Sequence, residues 1–177
     1  MLIKHFNAYE LIDPILYQQL VRAGLIRVES KNNRLTETFV HNRVRMLFPK
    51  QMLKDLSVIR KKFGAIYINR WHNQYKYILA ILTDRDAPEL YYQKDSVVKN
   101  AGTRPFKPSI GRATSMHCFN RAIDLKLANH EYDADDVRRF ILTHQDKMGV
   151  KRLEDGVSWV HMDYMDTGLG RIKVFSI

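Results

Sequence analysis

The sequence predicts an α+β protein in which helices flank a small, mainly antiparallel sheet. Large apolar side chains recur every three or four positions over residues 49–63, which is the spacing of an amphipathic helix. Residues 122–127 alternate between apolar and polar side chains, which is the spacing of a strand. Residues 133–148 predict another helix, because Asp133 is a natural N-cap and Gly149 follows the segment. No repeat or linker divides the 177 residues, so we expect one domain.

The N-terminal part is predicted to be mostly helical. Residues 10–24 form a predicted helix with a proline near its first turn and Gly24 at its end. Residues 30–38 are polar and predict a surface loop. We therefore expect residues 1–47 to be a helical extension and residues 48–177 to be the core that carries the site.

The remaining elements complete the predicted sheet. Residues 65–69 are a short apolar run and predict a strand. Residues 84–111 contain three of the five prolines and predict a long loop, a common location for functional residues. Residues 157–163 and 171–175 predict a final hairpin that turns at residues 166–168.

The composition bounds the class of protein. Apolar residues make up 45% and charged residues 27%, which is typical of a soluble globular protein. No stretch approaches the ~20 apolar residues of a transmembrane helix, and the N-terminus has no signal-peptide pattern. The single cysteine, Cys118, excludes an internal disulfide and fits a reducing compartment. We expect synthesis in a cytoplasm and no membrane span.

The formal net charge of +10 favours a polyanionic partner, such as nucleic acid, anionic lipid or a bacterial wall polymer. The basic residues are spread along the chain, and no basic arm, helix-turn-helix pattern or Cys/His finger accompanies them. Nucleic-acid binding is therefore a poorer prediction than the metal chemistry described next.

Two segments near the C-terminal end offer metal ligands. Residues 115–124 contain His117 and Asp124, and His161 lies in an alternating segment further on. If the two segments are adjacent strands, the three side chains can meet at one point. Two imidazoles and a carboxylate suit zinc, and three protein ligands leave one position open for chemistry. The competing interpretation is that these are unrelated surface or structural side chains.

The same residues carry a family resemblance. Ser115, His117, Ala122 and Asp124 are spaced as in the Ser-x-His-x-x-Gly-x-Ala-x-Asp motif of the D-alanyl-D-alanine peptidase and Hedgehog-like zinc peptidase superfamily. The segment Trp-Val-His-Met-Asp that contains His161 resembles that superfamily's final zinc histidine in its strand. Gly-Thr-Arg-Pro-Phe at residues 102–106 resembles a Ser-Gly-x-Arg segment that precedes the first histidine. With the helix, glycine and strand upstream, the resemblance extends over most of the chain.

The resemblance implies that Zn²⁺ is bound by His117, Asp124 and His161. It also implies that Arg104 binds a substrate carboxylate or stabilises an oxyanion, although a surface salt bridge is an alternative role.

The family's general base precedes the last histidine and is less clear here. Ser158, three residues before that histidine, cannot serve. Asp155, six residues before it, and its neighbour Glu154 are the candidates, unless they are solvated turn acids.

Five other residues have open roles. Asn120 stands where the motif has glycine, and asparagine tolerates positive φ better than most residues. Asp163 could orient a zinc histidine or serve as a strand-end acceptor. Trp159 and His72 could line the cleft, or could simply pack and face solvent. Cys118 is expected to be an unreactive small thiol.

The sequence thus predicts a zinc metallopeptidase that hydrolyses an amide bond in the stem peptides or crosslinks of bacterial peptidoglycan. The resemblance favours a phage-encoded endolysin or virion-associated protein, which acts after host lysis or from a virion and has other virion proteins as candidate partners. The alternative is a non-catalytic, zinc-stabilised wall-binding or virion structural module. The bond cleaved, the host and the oligomeric state stay open.

Overall fold

The computed structural model describes residues 6–12, 14–31, 34–40, 47–68, 80, 82–83 and 116–176. Within these ranges the protein is a mixed α/β structure with a two-stranded antiparallel sheet and a five-stranded sheet. The helices are α1 (Ala8–Leu11), α2 (Pro14–Arg22), α3 (Lys50–Phe63) and α4 (Ala134–Thr143). The strands are β1 (Ile26–Lys31), β2 (Arg34–Phe39), β3 (Ile66–Ile68), β4 (Ala122–Leu127), β5 (Arg152–Glu154), β6 (Val160–Asp163) and β7 (Lys173–Phe175). The predicted combination of helices with a small, mainly antiparallel sheet is confirmed.

The N-terminal region differs from the prediction in two ways. The single helix expected over residues 10–24 is two helices, because Ile12 is extended at φ −122° and Pro14 then starts α2. The loop expected over residues 30–38 is wrong, because β1 and β2 form a hairpin there. Polar residues occupy the exposed side of this hairpin, and Glu37 on the other side accepts N–H groups from the start of α1. The expected helical extension therefore contains a sheet as well.

The elements that lead into the core follow the prediction closely. Helix α3 begins one residue after the expected start and ends at Phe63. Gly64 then has φ 83°, a left-handed conformation that glycine adopts without strain. Strand β3 is short and pairs antiparallel with β4.

The final hairpin expected from residues 157–163 and 171–175 is wrong. The order of the five strands is β3-β4-β6-β5-β7, so β5 lies between β6 and β7. Strand β5 pairs antiparallel with β6 and parallel with β7. Only one of its three residues, Leu153, is apolar, and so this strand has no recognisable alternating pattern.

Helix α4 ends at Thr143, earlier than the expected end at residue 148. Its start is as predicted, because the Asp133 side chain accepts N–H groups from the first turn. Gly149 does not cap the helix. Its N–H donates to Asp55 at 2.8 Å, and a Cβ at this position would come within 2.2 Å of the Gln51 side chain. Gly149 is therefore required for close packing on α3.

The five-stranded sheet has two unlike faces. One face joins α3 and α4 in a continuous apolar core through Ile123, Leu125, Leu153, Val160 and Met162. Since side chains alternate along a strand, the residues between these point to the opposite face. That face carries the charged and imidazole side chains of β4, β5 and β6. Among the helices described, none is long and apolar enough to cross a membrane.

Candidate metal centre

Three potential ligands converge on the polar face of the sheet. Asp124 on β4 and His161 on β6 are direct cross-strand partners. The Asp124 Oδ1 atom lies 2.7 Å from His161 Nδ1, and Asp124 Oδ2 lies 3.4 Å from His117 Nε2. The two imidazoles approach to 3.3 Å between His117 Nε2 and His161 Nδ1. The sequence prediction that adjacent strands bring these three side chains together is confirmed.

A tight turn delivers His117 to the two strand residues. Met116–Phe119 form a 3₁₀ turn immediately before β4. The Arg121 N–H donates to the carbonyl of Met116 at 2.9 Å, which closes the turn. Asn120 completes it at φ 55°, a left-handed conformation in which asparagine is among the better tolerated residues. The backbone thus reverses just before the strand, and His117 is buried at 3% exposure.

The carboxylate and imidazoles of the cluster shift one another's protonation. Burial acts to raise the pKa of Asp124, but the adjacent His117 and His161 outweigh it and hold the pKa far below its usual value. Burial acts to lower the pKa of His161, but contacts with Asp124 and Asp163 raise it to about 9. Without a metal, the cluster is an ion pair between a carboxylate and an imidazolium.

The donor set and its spacing fit a small divalent cation. All three ligand atoms lie within 4.8 Å of one another. With zinc bonds of about 2.0–2.1 Å, tetrahedral geometry separates ligand atoms by about 3.3 Å. The distances from His117 to the other two residues already have this value, at 3.3 and 3.4 Å. The third pair, Asp124 Oδ1 and His161 Nδ1, is closer at 2.7 Å, which is the length of a hydrogen bond. The residues can therefore hold a metal ion, with two imidazole nitrogens and one carboxylate as ligands.

A buried carboxylate supports His161 from its other side. The Asp163 side chain is fully buried and accepts Arg152 Nε at 2.8 and 2.9 Å and the Met165 N–H at 3.1 Å. Its Oδ2 atom lies 3.8 Å from His161 Nε2. A carboxylate there favours the tautomer that carries its proton on Nε2, which leaves Nδ1 to bind a metal. Asp163 is therefore an acceptor at the end of its strand, with its carboxylate near the second ring nitrogen of His161.

Glu154 and Asp155 lie on opposite faces of the sheet. On β5, Arg152 is the cross-strand partner of Asp163, so strand alternation puts Glu154 on the face of the metal ligands. Glu154 pairs with Phe175 on β7, whose ring stands edge-on to that of His161, with 6.1 Å between the ring centroids.

Burial distinguishes the same two acids. Glu154 is 6% exposed, and no hydrogen bond or ion pair involves its carboxylate in the described part of the chain. Asp155 is exposed and lines a groove beside α4 with Asp135, Arg139 and Val174. Of these two acids, only Glu154 lies on the sheet face that carries the metal ligands.

The other candidate residues are less informative. Arg104, His72 and Ser115 lie outside the described residues, as does the side chain of Cys118 in the 3₁₀ turn. Trp159 is half-buried in the connection between β5 and β6, and its carbonyl accepts a hydrogen bond from α4.

Sequence reasoning missed Arg152 and Phe175. Both reach the site because β5 and β7 pair beside β6, and neither strand has a strong alternating pattern. The Arg152 guanidinium also lies over the Phe175 ring, 5.4 Å from its centroid. The pairing of an arginine with a buried aspartate could have pointed to this site. It can be recognised only once the register of the two strands is known.

No family model, curated protein or solved structure matches this chain.

Proposed function

We propose that this protein is a zinc-dependent peptidase that hydrolyses an amide bond in peptidoglycan stem peptides or crosslinks. The observation that carries the proposal is the convergence of His117, Asp124 and His161 on the sheet face that also holds the buried Glu154. Three metal ligands and a buried carboxylate on the same sheet face form the minimal equipment for metal-assisted hydrolysis. The motif resemblance to the D-alanyl-D-alanine peptidase and Hedgehog-like superfamily supplies the expected substrate class.

The chain's own residues divide the work. His117, Asp124 and His161 would hold the ion, and Asp163, 3.8 Å from His161 Nε2, would favour the required tautomer. A bound zinc ion would supply Lewis acidity and bring the pKa of a coordinated water to about 7. Glu154 would accept the proton from the attacking water and deliver it to the leaving amine.

The substrate assignment rests on charge and on the resemblance. A net charge of +10 favours adsorption to an anionic bacterial wall. Arg104 is proposed to bind a substrate carboxylate or to stabilise the oxyanion, because a guanidinium can make a bidentate contact with a carboxylate. We propose that the protein is phage-encoded and acts at the wall after host lysis or from a virion.

A non-catalytic wall-binding or virion module is the second candidate. Ser158 motivates it, since that position carries the acid in many members of the resembled superfamily. The buried Glu154 on the same sheet face argues against it, because a binding module has no need of a proton acceptor there.

The test is digestion of purified peptidoglycan by the zinc-loaded protein, with the products read by mass spectrometry. We expect new fragments that depend on zinc and identify the bond, and no fragments from His117→Ala. Intact peptidoglycan from several wall chemotypes, with stoichiometric zinc in the protein, would contradict the enzyme and favour the binding module.

A further inference from the structure

Arg138 is a buried arginine on α4 whose side chain enters the connection between β5 and β6. It is 5% exposed, whereas its neighbour Arg139 has a side chain that is 73% exposed. Its Nε atom donates to the carbonyl of Glu154 at 2.7 Å. One terminal nitrogen donates to the carbonyls of Val157 and Trp159 at 2.7 and 2.6 Å. One guanidinium therefore binds three backbone carbonyls of a single short segment.

This segment joins the two residues on which the proposed chemistry depends. Glu154 ends β5, and His161 is the second residue of β6. Between them the chain turns through Gly156 at φ 77°, and most of the turn is exposed. A planar guanidinium with several fixed donors can hold carbonyls in one arrangement, which a flexible ammonium does less well.

We propose that Arg138 is a positioning residue for the metal centre: by binding the carbonyls of residues 154, 157 and 159, it fixes Glu154 relative to His161. The opposite end of the guanidinium is itself held, because Asp135 on the preceding turn of α4 accepts from its remaining terminal nitrogen. Helix α4 lies on the apolar side of the sheet, so the support comes from behind the site. This inference rests on the proposed function and extends it to a residue that touches neither substrate nor metal.

The test measures zinc affinity by chelator competition in Arg138→Gln, Arg138→Lys and the matched control Arg139→Gln. Arg139 is next along the same helix, and it forms an ion pair with Asp136 on that helix. Loss of support around a metal ligand typically weakens metal binding about tenfold or more, which is the effect expected for Arg138→Gln. Arg138→Lys should retain part of the affinity and Arg139→Gln all of it.

Metal-free near-ultraviolet circular dichroism separates positioning from folding. A folded Arg138→Gln variant with wild-type zinc affinity and wild-type kcat would overturn the proposal. If that variant does not fold, Arg138→Lys decides: unchanged affinity and an unchanged ratio of kcat to KM would also overturn it. Failure of the wild-type protein to bind zinc would refute the metal centre itself and with it the proposed function. That outcome is distinct from failure of the Arg138 inference alone.

Discussion

Zinc binding to this protein is expected to release a proton from His161. Only the neutral imidazole can donate its Nδ1 lone pair to a metal, yet contacts with Asp124 and Asp163 raise the pKa of His161 to about 9. At pH 7 this side chain is therefore almost fully protonated, and the ion must displace the proton that bridges to Asp124 at 2.7 Å.

The size of the effect follows from that pKa. Two pH units separate pH 7 from a pKa of about 9, so deprotonation costs about 2.7 kcal/mol of zinc binding energy. The apparent affinity should rise about tenfold per pH unit between pH 6 and pH 8 from this one group. The folding stability of the metal-free protein has the opposite pH dependence. A raised histidine pKa contributes stability that is complete below about pH 6.5 and is lost as pH rises through about 9.

Isothermal titration of zinc at pH 7, in buffers of different ionisation enthalpy, measures the protons released. We expect about one proton from His161 in the wild-type protein, and one fewer released by His161→Ala, which should also bind zinc much more weakly. Equal proton release by the two proteins, or a wild-type affinity that does not change with pH, would refute the argument.

Three further predictions address the neighbours of the cluster. Glu154→Gln should lower the peptidase rate about 10²- to 10⁴-fold at unchanged zinc content, and Asp155→Asn should leave it unchanged, as measured on one peptidoglycan fragment. The reverse pattern would assign the base to Asp155. Asp163→Asn should weaken zinc binding about 10- to 100-fold in chelator competition, and wild-type affinity would exclude its support of His161. Asp55→Asn should reduce the free energy of unfolding in urea by about 1–3 kcal/mol, since this buried carboxylate accepts three hydrogen bonds; a smaller change would show that the amide replaces them.

Local patterns were sufficient for the elements that build the cluster. The alternation over residues 122–127 gave β4 and the orientation of Asp124 correctly. The helical spacing and the following glycine gave α3. The proximity of His161 and Asp124 could be predicted because the sequence of each strand shows which of its side chains share a face.

The errors arose where distant parts of the chain decide the structure. Strand β5 has three residues and one apolar side chain, so its pairing depends on β6 and β7. Without β5 there was no way to choose between Glu154 and Asp155, because adjacent residues exchange faces when the strand's phase is unknown. In the sequence, Arg138 stands among the charged residues of α4 and looks like part of a solvent-exposed helix face. In the structure its guanidinium is buried.

The arrangement of ligands also has a kinetic consequence. Asp124 and His161 lie on β4 and β6, which are both flanked by other strands in the five-stranded sheet. Neither strand can fray from an edge, so these two ligands separate only when the centre of the sheet opens. His117 is different, because it belongs to a single 3₁₀ turn outside the sheet. We therefore expect metal exchange to proceed by detachment of His117 first, while the cross-strand pair keeps hold of the departing ion.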